Sequence, residues 1–93
     1  MELNFQWDEV KAKGNLRKHK VSFHEGKTVF SDSFLMTFPD PGHSASEERY
    51  INIGMSSKGR VLVVIHTERL GSIRLLSSRK ATASERKVYE GGR

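Results

Sequence analysis

Five consecutive apolar residues, Val61-Leu62-Val63-Val64-Ile65, constrain this chain more than any other feature. A half-exposed strand alternates apolar and polar residues, whereas a strand covered on both faces reads as a continuous apolar run. The run is also far short of the ~20 residues that a membrane-crossing helix needs. Its neighbours in sequence do alternate: Arg49 to Met55 places Ile51, Ile53 and Met55 on one face, and Ile73 to Arg79 is apolar in its middle. Ser56-Ser57-Lys58-Gly59 and Leu70-Gly71-Ser72 have turn composition. The pattern predicts a central strand from Arg60 to Arg69, hydrogen-bonded to an antiparallel neighbour on each side.

The remaining elements follow from local chemistry. Phe5-Gln6-Trp7 reads as a short edge strand leading to Asp8 as a helix N-cap. Glu9 to about His19 reads as a basic helix with a thin apolar side (Val10, Ala12, Leu16), weakened by Gly14. Ser22 and Glu25 have capping-box spacing, which predicts a second helix over Phe23 to Phe30. Phe34 to Phe38 is a candidate strand, and Pro39-Asp40-Pro41-Gly42-His43-Ser44 is a loop. Thr82 and Glu85 repeat the capping-box spacing and open a last helix to about Glu90, ended by Gly91-Gly92. The prediction is one α+β domain over residues 1–93, with an antiparallel sheet of about four strands, two N-terminal helices and one C-terminal helix. Helices gathered on one sheet face would leave the other open to an extended ligand.

Composition narrows the chemistry. No cysteine is present, which removes disulfides, zinc-thiolate sites and thiol nucleophiles. The start, Met1-Glu2-Leu3-Asn4, lacks the basic and apolar segments of a signal peptide, so the expected location is the cytoplasm. Residues 1–46 carry six Lys/Arg against six Asp/Glu, while residues 47–93 carry ten against five. The formal charge of +5 therefore belongs to the second half, and of eight arginines only Arg17 precedes residue 47. Arginine is always charged and its planar fork matches phosphate. An arginine-rich half thus points to a polyanion, although an inert basic surface has the same composition.

No phosphate-cradling glycine loop, dinucleotide fingerprint or nucleophile elbow is present. His19, His24, His43 and His66 lack metal-ligand spacing, and no acidic cluster suits magnesium. The expectation is a chain with no metal and no cofactor. Metal-free RNA cleavage needs a base for the 2′-hydroxyl, a cation for the phosphorane and an acid for the departing 5′-oxygen. Arginine serves only as the cation. Arg74 and Arg79, fixed on a strand beside the core, are the natural candidates. Base and acid would come from His66, Glu68, Lys18, His19, Lys80 or Tyr89. A two- or four-residue turn at 70 sets Glu68 opposite Ile73 and Thr67 opposite Arg74, which puts His66, Glu68, Ser77 and Arg79 on one face. A three-residue turn slips the register by one. Each residue also has a plainer reading: strand arginines pair with Glu68 or Glu48, His66 is a satisfied core-edge residue, and Tyr89 packs with its hydroxyl in water.

One ordered set runs through nearly the whole chain: Trp7-Asp8, Lys11, Asn15, Lys18-His19, Val21, Phe23 and Glu25, followed by Glu48-Arg49, Ile53-Gly54, Gly59-Arg60, Thr67 and Arg69. It ends with Ile73-Arg74-Leu75-Leu76-Ser77-Ser78-Arg79-Lys80-Ala81, Glu85 and Tyr89. In these residues the chain resembles the BrnT family of toxins, whose fold is related to the RelE-type ribonuclease toxins. The resemblance implies RNA cleavage, translation arrest, and a cognate antitoxin with a DNA-binding domain in a hetero-oligomer. It carries functional roles best to Arg74 and Arg79, then to Arg69 and Lys18. The family often has glycine where this chain has Lys20, and commonly an aromatic residue at position 66, which argues against His66 as an essential base. The expected site is therefore Arg74, Arg79, Arg69, Lys18 and Glu68 for catalysis, with Arg60, Lys80 and Arg49 holding RNA. The rivals are a non-catalytic nucleic-acid-binding module on the same arginine face, and a protein whose basic face docks an acidic partner.

Overall fold

Asp8 caps α1 (Glu9–His19), its Oδ1 accepting from the N–H groups of Val10 at 2.8 Å and Lys11 at 3.4 Å. The helix closes at Lys20, which sits in the left-handed region (φ 61°, ψ 27°) and donates its N–H to the Leu16 carbonyl. Ser22 then caps α2 (Phe23–Gly26) through the Glu25 N–H at 3.0 Å. The continuous helix predicted to Phe30 is instead this short turn followed by a 3₁₀ segment, Lys27–Ser31, where Thr28 Oγ1 bonds back to the Glu25 carbonyl at 2.6 Å. The structure, a computed structural model, describes residues 3–43 and 47–91. The expected Ser44 of the loop and Gly92 of the last helix stop lie outside them.

The strands are β1 (Phe5–Gln6), β2 (Met36–Pro39), β3 (Arg49–Met55), β4 (Val61–Arg69) and β5 (Ser72–Lys80), and α3 (Ala83–Gly91) follows them. They form one mixed sheet in the order β1-β5-β4-β3-β2. The sheet expected to hold about four antiparallel strands thus has five. The difference is β1, which pairs parallel to β5 over two residues, Phe5 with Ile73 and Gln6 with Arg74. A pairing this short leaves no periodicity to read. It is held by packing, with the Phe5 ring 5.4 Å from that of Phe30. Pro39 ends β2 at the sheet edge, where its missing N–H costs nothing.

The central position of β4 explains its apolar run. Leu62 and Val64 pack with Val21, Phe23, Val29 and Leu75 beneath α1 and α2. The alternate residues Val61 and Val63 pack with Ile53, Ala81 and Tyr89 on the other face, under α3. The helices therefore divide between the two faces, and the expected one-sided arrangement is corrected. Tyr89 is only 2% exposed. Its hydroxyl, expected in water, instead donates to Asp32 Oδ2 at 2.7 Å and pins α3 across one end of the sheet. Asn15, buried on α1, seals the edge of β5. Its Oδ1 accepts from Ser78 N–H at 3.2 Å and its Nδ2 donates to the Ser78 carbonyl at 2.7 Å, as a neighbouring strand would. Gly26 lets α2 lie close on this strand, since a Cβ there would meet Ser78 Oγ at 2.6 Å. Among the described residues, no helix is long and apolar enough to cross a membrane.

Candidate nucleic-acid interface

The site is made by an irregularity in the last hairpin. Leu70 (φ 49°) and Gly71 (φ 81°) form a two-residue turn, so Arg69 faces Ser72, Glu68 faces Ile73 and Thr67 faces Arg74. After His66 and Leu75 the register shifts: Ile65 faces Ser77 and Val63 faces Arg79, leaving Leu76 as the extra residue of a β-bulge. Without it, Arg74 and Arg79, five positions apart in sequence, would point to opposite faces. With it, Arg74, Ser77 and Arg79 all share the face of Thr67, Ile65 and Val63. His66 and Glu68 remain on the opposite face, so the predicted grouping of His66, Glu68, Ser77 and Arg79 is overturned by one inserted residue.

Among the described residues, α3 is the only helix on its face and covers one end of it, leaving the rest of that face uncovered by a helix. Across β3, β4, β5 and β1, one row reads Arg49, Thr67, Arg74 and Gln6, and the next reads Ile51, Ile65 and Ser77. Arg79 stands one row further, and Arg69 one row before. Arg74 Nη1 donates to Gln6 Oε1 at 3.1 Å, a neutral partner that orients the guanidinium and leaves its charge uncancelled. Arg79 is bidentate to Glu85, at 2.8 and 2.9 Å. Glu85 is also the reciprocal partner of Thr82 in the capping box of α3, so the helix start and the arginine share one carboxylate. The Arg79 guanidinium, aided by the Thr82 N–H, holds the Glu85 carboxyl down at about 2. Arg69 meets Glu47 at 3.3 Å on the exposed rim. Arg49 is half-buried, and its Nε is shielded from solvent without a hydrogen-bond partner among the described residues.

Other predicted residues lie elsewhere. Arg60 is bidentate to Glu25, with Nε–Oε2 at 2.8 Å and Nη2–Oε1 at 2.6 Å, and belongs to the clamp that fixes α2 to the β3–β4 hairpin. Lys80 faces Leu62, on the side away from the arginine rows. Lys18 is exposed on α1, one turn beyond the Asn15 contact with β5. His66 is 3% exposed, stacked on Tyr50 at 5.0 Å with a 21° interplanar angle. Its Nδ1 accepts from Asn52 Nδ2 at 2.7 Å, and Nε2 points to Glu68 at 3.5 Å. Burial pushes its pKa below the usual 6.5, against the opposing pull of Glu68. A buried, neutral imidazole with both nitrogens engaged fits the core-edge reading. Sequence reasoning missed Gln6 as the partner of Arg74 and the grip of Glu85 on Arg79. The capping-box spacing signalled Glu85, but only as a helix start.

Among the described residues, no three His, Asp or Glu side chains are gathered as metal ligands. What the open face offers is several fixed cations around a small hydroxyl and an apolar strip, a surface suited to holding phosphate esters. A family model described as "Ribonuclease toxin, BrnT, of type II toxin-antitoxin system" matches residues 7–85. The fold is similar to that in a crystal structure of the Brucella abortus ribonuclease toxin BrnT, with a TM-score of 0.68 and 24% identity. That alignment covers 87% of this chain and 99% of the Brucella chain. No curated protein matches the chain significantly. The family match takes in the three helix caps, the bulged hairpin and every arginine of the open face, and on it the chain belongs to the BrnT family of ribonuclease toxins of type II toxin–antitoxin systems.

Proposed function

We propose that the open sheet face binds RNA and that its arginines drive cleavage without a metal ion. The observation that carries this reading is the bulge, which sets Arg74 and Arg79 on either side of Ser77. At about 3.4 Å per residue, a phosphate above Ser77 has an arginine roughly 7 Å away along the strand in each direction. That is within reach of an extended arginine side chain. In the reaction the 2′-oxygen bonds to phosphorus as its proton passes to water, charge builds on the phosphoryl oxygens, and the P–O5′ bond breaks as the 5′-oxygen takes a proton from water. Arg74 and Arg79 stabilise that charge where it develops. Lys18, beside the β5 edge, and Arg69, on the rim, are the outlying cations of the site. Glu68, Lys80 and Arg60 have no part in the arginine face, and His66 keeps a packing role.

RNA cleavage of this kind arrests translation in the cytoplasm. A type II toxin implies a cognate antitoxin, and we assign that antitoxin a DNA-binding domain and a contact with the arginine face. Incubation of the purified protein with RNA in EDTA tests the reading. Cleavage should persist and leave 2′,3′-cyclic or 3′-phosphate ends. Activity abolished by the chelator and restored by magnesium rejects the mechanism, and binding without cleavage returns the chain to a phosphate-holding module.

A further inference from the structure

Among the described residues from 47 onward, Arg49 stands apart from the other arginines. Arg60 is bound to Glu25, Arg69 to Glu47, Arg74 to Gln6, Arg79 to Glu85, and Arg86 donates to the Ala81 carbonyl. Among the described residues no hydrogen-bond partner of the Arg49 guanidinium is found, and its Nε is hidden from water. A buried donor left without an acceptor is costly, and because Arg49 is only half-buried its terminal nitrogens, not the hidden Nε, are the donors that a ligand can reach. Arg49 is on the open face, across β4 from Arg74, with Thr67 between them. Thr67 is 1% exposed and its hydroxyl is committed to the Glu48 carbonyl at 2.7 Å, so it forms a floor and offers no competing donor.

Two strand spacings put the Arg49 and Arg74 backbones about 10 Å apart. The phosphate position over Ser77 lies still further from Arg49, two strands across and one row along, in the row that Ile51 and Ile65 fill. A phosphate held by Arg49 is therefore a different one from the phosphate flanked by Arg74 and Arg79. We propose that Arg49 is a second phosphate subsite, which anchors a neighbouring phosphate of single-stranded RNA while Ile51 and Ile65 lie beneath the nucleotide between. This deepens the proposed function and rests on it. A substrate with only the scissile phosphate would leave Arg49 empty.

The test compares a dinucleoside monophosphate with tri- and tetranucleotides that add flanking phosphates. The wild-type protein should cleave the longer RNAs with higher kcat/KM. Arg49→Gln should cut that length preference about tenfold, the worth of one charge-assisted contact, and Arg49→Lys should restore part of it. A preference equal in variant and wild type overturns the proposal, whatever the melting temperatures. A second measurement separates this idea from cleavage itself. On a 2′-deoxy oligonucleotide that cannot be cut, Arg49→Gln should reduce the slope of log affinity against log salt by about 0.7, one phosphate contact. An unchanged slope rejects the subsite. A wild-type protein that cleaves no RNA yet loses this slope in the variant rejects the nuclease reading and keeps the phosphate anchor.

Discussion

The two faces of the sheet use the same residue type in opposite ways. On the closed side, Arg60 grips Glu25, whose side chain is 2% exposed, and Ser56 Oγ adds a third contact to the same carboxylate at 2.7 Å. The charge is spent on joining α2 to the β3–β4 hairpin. On the open side, Arg79 grips Glu85, which is 27% exposed on α3, Arg74 has a neutral amide, and Arg49 has no partner among the described residues. An arginine count treats these residues alike. The difference between a structural and a ligand-facing arginine is decided by what the strand partner and the helix above it provide.

The sharpest break in this comparison is at Glu25. Glu25→Ala leaves Arg60 half-buried without its carboxylate, and should cost roughly 3 kcal/mol of stability, the low end for a broken buried pair. Arg60 holds the Glu25 carboxyl below its usual 4.5, and Arg79 holds Glu85 at about 2. Both carboxylates therefore contribute stability that is present above about pH 4.5 and is lost as the pH falls through their lowered pKa values, which for Glu85 means toward about 2. Thermal melts across that window check both statements. Glu25→Ala melting like the wild type would refute the clamp.

The open face should respond in the reverse sense. Arg74→Ala and Arg79→Ala should each slow RNA cleavage by about 100-fold, a loss of transition-state stabilisation near 2.7 kcal/mol. Their melting temperatures should move far less than that of Glu25→Ala, because Glu85 keeps its capping bonds to Thr82 without Arg79. Variants with normal rates and sharply lower melting temperatures would erase the distinction between the faces.

Local signals in the sequence carried the elements well. Both N-caps on the first two helices, the last capping box and the run at 61–65 appear where residue chemistry puts them, because each depends on contacts within a few residues. What stayed hidden depends on distant partners. The bulge at Leu76 has no composition of its own, and it alone brings Arg79 round to the face of Arg74. The pairing of β1 with β5 joins residues 5–6 to 73–74, and no pattern within either segment announces it. Glu25 was legible as a capping residue, and the arginine it holds lies 35 positions on. Candidate residues were therefore easier to name than to group.

The smallest expected effect concerns backbone strain on the closed side. Lys20 holds φ 61° at the end of α1, whereas Gly59 and Gly71 meet the same requirement with the residue suited to it. A side chain in the left-handed region crowds its own Cβ against the backbone, and glycine at this helix-ending position removes the crowding. Glycine also enlarges the unfolded ensemble, which offsets part of the gain. Lys20→Gly should still stabilise by about 0.5–1 kcal/mol, and a domain of this size then melts a few degrees higher, at roughly 4–8 °C per kcal/mol. Lys20→Ala is the discriminating control, since it removes the charge and the long side chain but keeps the Cβ. The comparison turns on the difference between the two variants. A gain with glycine alone identifies backbone strain as the cause, and equal gains would trace it to the lysine side chain beside Arg17 and Lys18 in the last turn of the helix.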